Sequence, residues 1–238
     1  MTDTLILAVA QPHTVSYAVA ANAEVHAAAI RSAQARVVVF PELSLTGYEY
    51  DAPAVSADDP RLAPIIEACA ETAGLALVGA PVADTSGRSY IAVLAVEGTG
   101  ARVAYRKIHT HADEQTRFSP GDRPAVVTVD GWRLGLAICR DTGIAQHVTD
   151  TAALGMDVYV AGILDYQSAA DVPDDRARRI AQDHGVWVAF ASFAGSTGAG
   201  YDAARGHSAI WAPDGEVRAR AGVEPGRLCG RCSARRSA

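Results

Sequence analysis

Lysine is almost absent from this chain of 238 residues. Of its 21 lysine and arginine residues, only Lys107 is a lysine. Arginine serves any ordinary surface role, as a solvated charge or as one half of an ion pair. Lysine differs because it concentrates its charge in a compact ammonium with three donors on a flexible stem. We therefore interpret Lys107 as either a chance residue or one whose shape the protein needs.

Long apolar runs and a strong excess of one charge are also missing. No run approaches the ~18 residues that a membrane-spanning helix needs, and acidic and basic residues are interspersed at a formal net charge of −6. This argues against a membrane protein and against nucleic acid as a main partner. The first residues, MTDTLILAVAQPHT, lack the basic segment of a signal peptide, so we expect a cytoplasmic protein.

Cysteine is scarce, and the wide spacing of the four residues does not suggest a disulfide framework. Cys69 lies in an amphipathic segment and is expected in the core. Cys229 and Cys232 form a C-x-x-C pair, which in other settings is half of a zinc site or a redox pair. Here the pair stands in a basic segment rich in glycine and serine, with no second pair nearby. We expect a frayed terminus instead.

Apolar periodicity alternates between strand and helix along the chain. LILAVAQ and RVVVFPELS are typical of strands, whereas ANAEVHAAAIRSAQA and DDRARRIAQDHG are typical of helices. A helix is predicted at about 60–73, with Asp59 as its cap and Pro60 at its first position, and a hairpin turn is predicted at Asp130-Gly131. Because helices alternate with strands and no low-complexity linker intervenes, we predict one α/β domain with mixed sheets and helices outside.

Three chemically useful side chains each stand at the end of a predicted strand. Glu42 closes VVVFPE, Lys107 closes ARVAYRK and Cys139 closes RLGLAIC. Strand ends in α/β proteins position side chains while the adjoining loops open them to solvent. Taken alone, Glu42 is most simply a solvated turn residue, Lys107 a surface residue and Cys139 a buried core residue. Together, a carboxylate that accepts a thiol proton and an ammonium that stabilises developing negative charge suit nucleophilic attack on an amide or nitrile.

The motifs around these residues, VVVFPELSLTGYEY, YRKIH and GLAICRD, resemble those of the nitrilase superfamily of carbon–nitrogen hydrolases in order and separation. LAVAQ near the start, EQTRFSPGD at 114–122 and GHSAIWAPDGEVRA late in the chain extend the resemblance over residues 4–220. It implies a four-layer α-β-β-α sandwich, which we place at residues 1–222, and a homodimer or higher homo-oligomer. It implies no metal and no organic cofactor.

The resemblance also implies roles for individual residues. Glu42 would be the general base, Cys139 the nucleophile and Lys107 the group that stabilises the tetrahedral intermediate. Glu114 matches a second acid that positions the lysine and the substrate, and the backbone N–H of Arg140 would complete the oxyanion site. The implied activity is cleavage of a small amide or carbamoyl compound through a cysteine thioester.

Substrate contacts are expected from residues near the ends of the motifs, namely Tyr48, Arg140 and Gly162. The Arg140 side chain either binds a substrate carboxylate in a bidentate contact or points away and contributes only its backbone, and both readings stay open. Asp141, two residues after the nucleophile, favours the amidase-like branch over true nitrilases.

Two alternatives also stay open on the residues alone. In the first, the protein is a catalytically silent member of the superfamily that binds a small molecule or a protein partner through the same pocket. In the second, His109 and His111 form an H-x-H pair that, with Asp113 and Glu114, binds a metal ion. The sequence shows no evident third ligand at a suitable spacing for such a site.

Residues 223–238 depart from the resemblance. The superfamily continues here with another strand and a segment that packs against the core or a partner subunit, whereas this chain reads VEPGRLCGRCSARRSA. We expect an atypical short tail with little to bury, and with it reduced stability or altered pairing of subunits.

Overall fold

The computed structural model describes residues 4–169 and 171–235, and for residues 227–235 it describes the backbone alone. The described residues form two six-stranded sheets, a short two-stranded ribbon and four α-helices. The helices are α1 (Val19–Ala33), α2 (Ala63–Thr72), α3 (Ala145–Ala153) and α4 (Val172–His184). None of them is long and apolar enough to cross a membrane.

The strands divide between the two sheets mostly by their place in the chain. The first sheet contains β1 (Thr4–Gln11), β2 (Val37–Val39), β3 (Leu75–Ala83), β4 (Ser89–Glu97), β5 (Gly100–Arg106) and the last strand, β14 (Arg227–Arg235). The second sheet contains β6 (Ala125–Val129), β7 (Trp132–Ile138), β8 (Val158–Ile163), β9 (Trp187–Ser192), β12 (Ala209–Trp211) and β13 (Val217–Arg220). The ribbon pairs β10 (Ala194–Gly195) with β11 (Ala204–Arg205).

The two sheets share one internal plan. The strand order is β14-β1-β2-β3-β4-β5 in the first sheet and β13-β12-β9-β8-β7-β6 in the second. Each contains three adjacent parallel strands, β1–β2–β3 or β7–β8–β9, whose connections are helices, and antiparallel strands lie on both sides. Because parallel strands run in one direction, their carboxyl ends lie together at one edge of each sheet.

The sheets stack face to face, and the helices cover their outer faces. Helices α1 and α2 pack on the first sheet, and α3 and α4 pack on the second, so the predicted four-layer α-β-β-α sandwich is confirmed. Alternate side chains of a strand face different layers: in β1, Leu7 and Val9 face the other sheet, while Ala8 and Ala10 face the helices. Burial on both faces explains the continuous apolar runs of the strands.

Local sequence signals correctly predict two element boundaries. Asp59 accepts a hydrogen bond from the Arg61 backbone N–H at 2.9 Å, and Pro60 begins the short 3-10 helix that leads into α2. Asp130 and Gly131 join β6 to β7 with both residues in the left-handed region, at φ 50° and 85°. That conformation is typical of a two-residue hairpin turn.

The strand predicted over RVVVFPELS is shorter than expected. β2 ends at Val39, and the chain turns away from the sheet over residues 40–47, with Leu43 at φ 53°. Pro41 has no N–H to donate to a sheet ladder, which favours this early exit. As a result, Glu42 lies beyond the strand in a turn.

The expectation of a frayed C-terminal end is wrong. Arg227–Arg235 forms β14, which pairs antiparallel with β1 along its whole length, with one register shift between Ala8 and Val9. This pairing provides hydrogen-bond partners for backbone N–H and C=O groups of β1, which would be unpaired if β1 were an edge strand. The side chains of Cys229 and Cys232 lie outside the described residues.

Removing β14 is expected to destabilise the protein, because it uncovers the backbone of β1. A chain that ends at Gly226 should unfold at a temperature lower by roughly 5 °C or more and should aggregate more readily. A chain that ends at Arg235 and keeps the whole strand is the matched control. Thermal unfolding followed by circular dichroism tests this, and equal midpoints for the two chains would contradict it.

Candidate active site

Four side chains meet at the carboxyl ends of strands from both sheets. Glu42 and Lys107 follow β2 and β5 of the first sheet, Cys139 follows β7 of the second, and Glu114 lies in a short 3-10 helix in the loop after β5. The two glutamates and the lysine are 0–1% exposed, and Cys139 is 8% exposed. The structure therefore brings together the four residues that the sequence predicted to be catalytic.

The Lys107 ammonium lies between two carboxylates. Its Nζ donates to Oε1 of Glu42 at 2.7 Å and to both carboxylate oxygens of Glu114 at 2.8 Å. A single nitrogen that serves acceptors in several directions is a lysine geometry, and the planar fork of arginine does not reproduce it. This geometry accounts for the one position at which the chain uses lysine.

Glu114 is held by donors on both of its oxygens. Besides Lys107, Oε1 accepts the Tyr48 hydroxyl at 2.6 Å, and Oε2 accepts the His111 backbone N–H at 2.8 Å. Hydrogen bonds to both oxygens of a buried carboxylate fix its orientation. Glu114 is therefore arranged to hold Lys107 in place.

Glu42 has one hydrogen-bonded oxygen and one free oxygen. Oε1 accepts from Lys107, whereas Oε2 is buried and has no partner at normal hydrogen-bond geometry among the described residues. Burial raises the pKa of Glu42 to about 7; the charge of Lys107 opposes this rise, that of Glu114 adds to it, and interaction of the carboxylate with the nearby Cys139 side chain opposes it. A carboxylate with a free oxygen and this pKa is suited to accepting a proton near neutral pH.

The pKa values of Lys107 and of the Cys139 thiol are both raised, but by different causes. Burial alone would lower the pKa of Lys107, but the negative groups around it, Glu42 foremost, outweigh burial and raise that pKa. Burial raises the pKa of Cys139 well above its ordinary value; the charge of Glu42 adds to the rise, and Lys107 opposes it. The ammonium thus stays charged, and the resting thiol stays protonated until a base takes its proton.

Cys139 stands in a strained turn. Its φ of 43° lies in the left-handed region, which non-glycine residues rarely adopt, and it begins the short 3-10 helix Cys139–Gly143. The Thr142 hydroxyl donates to the Cys139 carbonyl oxygen at 2.7 Å, and the thiol donates to the Leu164 carbonyl oxygen at 3.5 Å. Backbone strain of about 1–3 kcal/mol persists only where surrounding contacts impose it, and such residues cluster at functional sites.

Two glycines, one from each sheet, allow the Glu42 backbone to lie between the sheets. A Cβ on Gly79 of β3 would collide with the Pro41 carbonyl oxygen, and a Cβ on Gly162 of β8 would lie 2.6 Å from the Glu42 nitrogen. Glycine alone permits such close backbone approach. The structure therefore places Gly162 against the predicted base, a role that the sequence analysis did not assign. Gly79 was not predicted, although an isolated glycine inside a strand pattern is itself a signal of close backbone approach.

The other two predicted substrate contacts, Tyr48 and Arg140, differ in their exposure to solvent. Tyr48 is 2% exposed, and its ring packs edge-on against the rings of Tyr50 and Tyr201, with centroids 5.4 and 5.3 Å away. Arg140 lies at the surface, where its Nη1 donates to Nδ1 of His111 at 3.1 Å. Contact of Tyr48 or Arg140 with a substrate stays a prediction.

The alternative of a metal site finds no supporting ligand cluster. Among the side chains that the structure describes, no group of three or more histidine, cysteine, aspartate and glutamate residues is arranged to hold a metal ion. His109 instead donates through Nδ1 to Asp141 at 3.0 Å, and Nδ1 of His111 accepts from Arg140.

Comparison with known proteins extends over nearly the whole chain. The carbon–nitrogen hydrolase family model matches residues 6–229. The protein called "hydrolase in pqqF 5′ region" of Pseudomonas protegens is 34% identical over 218 residues, which cover 86% of this chain and 74% of that protein. Omega-amidase NIT2 of Xenopus tropicalis is 30% identical over 214 residues, which cover 80% and 74% of the two chains. The crystal structure of Nit3 from Saccharomyces cerevisiae, a nitrilase-superfamily member, superposes with a TM-score of 0.88 at 20% identity, covering 99% of this chain and 91% of Nit3.

These matches confirm the resemblance seen in the motifs. The four-layer sandwich is the fold of the nitrilase superfamily. Within it, the chain belongs to the carbon–nitrogen hydrolase family, and the amidases among its relatives mark it as an amidase-like hydrolase.

Replacing Gly162 or Gly79 by alanine is expected to displace Glu42 from Lys107. Hydrolysis should fall by about 100-fold, the usual cost of misplacing a reacting group by about 1 Å. Gly222→Ala is the matched control, since a Cβ there would meet no atom within 4 Å. Amide hydrolysis and thermal unfolding are measured on all three variants. Equal activity in folded Gly162→Ala, Gly79→Ala and Gly222→Ala proteins would show that the close approach is not needed.

Proposed function

We propose that this protein hydrolyses the carbon–nitrogen bond of a small amide or carbamoyl compound through a thioester on Cys139. Glu42 is the base and Lys107 stabilises the tetrahedral intermediate. One observation carries the proposal: Glu42 is buried with a pKa of about 7, one of its oxygens bonded to Lys107 and the other free. The omega-amidase relative supports an amide as the class of substrate.

The first half of the cycle forms the thioester. Glu42 takes the thiol proton as the Cys139 sulfur attacks the carbonyl carbon, and negative charge builds on the carbonyl oxygen. The Lys107 ammonium and the backbone N–H of Arg140 stabilise that oxygen. The carbon–nitrogen bond then breaks, and the amine leaves with the proton that Glu42 carries.

The second half returns the enzyme to its starting state. Glu42, ionised again, takes a proton from water, and the resulting hydroxide attacks the thioester carbon. The carbon–sulfur bond breaks, the carboxylic acid leaves, and the proton on Glu42 returns to Cys139. Glu114 keeps Lys107 oriented in both halves, because its hydrogen bonds do not involve the reacting atoms.

The proposed chemistry and the superfamily resemblance also lead to proposals on the cofactor, the cellular compartment and the oligomeric state. Protein side chains supply every proton transfer in this cycle, so we propose that it needs no cofactor. A nucleophilic thiol must stay reduced, which favours the cytoplasm. The superfamily resemblance favours a homodimer or higher homo-oligomer, and light scattering would measure its mass.

Loss of the nucleophile should end hydrolysis. Cys139→Ala should release no measurable ammonia from a panel of small amides, ureides and nitriles, while the wild type releases it from at least one. Cys69→Ala is the matched control and should stay active, because it removes a buried thiol from the inner face of helix α2. Activity retained by Cys139→Ala would refute the thioester mechanism. If the wild type releases no ammonia from any compound, the silent binding protein becomes the better account.

The pH dependence should follow Glu42. Glu42 accepts the thiol proton only when ionised, so kcat/KM should rise with pH through an apparent pKa near 7 and fall about tenfold per unit below it. Glu42→Gln should be inactive at every pH, whereas Glu67→Gln, on the exposed side of α2, should keep the wild-type profile. A wild-type profile that is flat between about pH 5 and 8 would contradict this role.

A further inference from the structure

A third buried carboxylate, which the proposed cycle does not use, lies next to the Cys139 turn. Asp141 is 0% exposed. Its Oδ1 accepts the backbone N–H of His109 at 2.9 Å and Nδ1 of the same residue at 3.0 Å. Its Oδ2 accepts the Tyr105 hydroxyl at 2.7 Å and the Ile138 backbone N–H at 3.1 Å. Four donors occupy this carboxylate, so it is placed to orient its neighbours and is not placed to bind a substrate.

The residues that donate to Asp141 lie close in the sequence to Lys107 and Cys139. Tyr105 and His109 stand two residues before and two residues after Lys107, and Ile138 directly precedes Cys139. Tyr105 lies in β5 and Ile138 in β7, two strands that belong to different sheets and share no backbone ladder, and His109 follows β5. The Asp141 carboxylate therefore joins the lysine segment of one sheet to the cysteine turn of the other.

Two further buried side chains, His147 and Tyr159, continue the hydrogen-bond network beyond Tyr105. Nε2 of His147 donates to the Tyr105 hydroxyl oxygen at 2.8 Å, and the Tyr159 hydroxyl donates to Nδ1 of His147 at 3.0 Å. Burial lowers the pKa of His147, with the charge of Asp141 opposing, so the imidazole is neutral and has one donor and one acceptor nitrogen. Each donor in the chain Tyr159–His147–Tyr105 then points toward Asp141.

We propose that Asp141 is a positioning residue, which sets the distance between the Lys107 ammonium and the Cys139 thiol through the backbone on either side of them. The inference rests on the proposed roles of Lys107 and Cys139. It assigns Asp141 no contact with the substrate.

The position of Lys107 should be visible in the reactivity of Cys139. The lysine charge opposes the rise in pKa of both Glu42 and Cys139, so a displaced Lys107 leaves both groups protonated up to a higher pH. The charged groups that act on the thiol are Glu42, Lys107 and Asp165, and the titratable groups that face Asp141 are Tyr105, His109 and His147.

Asp141→Asn is the direct test. It keeps the shape of the side chain but replaces one acceptor oxygen by an amide group that donates, which leaves a backbone N–H of His109 or Ile138 without an acceptor. Asp157→Asn is the matched control, because Asp157 also accepts a backbone N–H, from Arg133 at 2.8 Å, at the opposite edge of the same sheet. Tyr105→Phe removes a single donor and serves if Asp141→Asn does not fold.

The measurement is the rate at which iodoacetamide alkylates Cys139, followed across pH by peptide mass spectrometry. We expect Asp141→Asn to react about tenfold more slowly at neutral pH, as for a shift of one pKa unit, with its midpoint at higher pH. Tyr105→Phe should show a smaller change in the same direction, and Asp157→Asn should match the wild type. On a responding amide, Asp141→Asn should lower kcat and leave KM nearly unchanged.

The outcomes separate this inference from the proposed function. An unchanged midpoint in folded Asp141→Asn and Tyr105→Phe would overturn the positioning role, even if both unfold at lower temperature. Alkylation requires no substrate. A shifted midpoint in a protein that hydrolyses no amide would therefore support the positioning role and count against the hydrolase.

Discussion

The buried charge of Lys107 is the constraint on which the rest of the site depends. Removing an ammonium from water costs several kcal/mol, and only carboxylates at hydrogen-bond distance offset that cost. Glu114 and Glu42 supply them, from a loop and a turn far apart in the chain. Because Tyr48 and a backbone N–H also bind Glu114, that carboxylate is fully occupied, whereas Glu42 keeps one free oxygen. This asymmetry suits Glu114 to holding the lysine and Glu42 to moving a proton.

Two sheets contribute to one site, so the contacts between the sheets set its geometry. Gly79 and Gly162 let the Glu42 backbone lie between them, which a side chain at either position would prevent. Cys139 keeps a strained φ because the surrounding contacts hold the turn in place. Hydrogen bonds to Asp141 join the same turn to the lysine segment. Contacts between rigid strands and turns of both sheets therefore hold the groups of the site together.

Much of the fold and the main site residues could be predicted because their signals are local. Apolar runs, turn residues and the motifs around Glu42, Lys107 and Cys139 can each be recognised within a few neighbours. Apart from the strand RVVVFPELS, which ends early at Val39, the errors concern contacts between distant segments. β14 pairs with the opposite end of the chain through its backbone, which a polar, basic sequence does not reveal. The Asp141 network went unnoticed, although the pattern Y-x-K-x-H at 105–109 would place three polar residues on one face of an extended segment.

The sequence by itself determined the chemical groups and the family: one lysine, a cysteine and two glutamates in ordered motifs at strand ends. The motif resemblance implies different roles for the two glutamates, but only the tertiary structure shows how their hydrogen bonds differ. Glu42 and Glu114 are the same residue type, and nothing near either one in the sequence states which keeps a free oxygen. That difference depends on burial and on partners from distant segments, because desolvation and neighbouring charges set the pKa of a carboxylate.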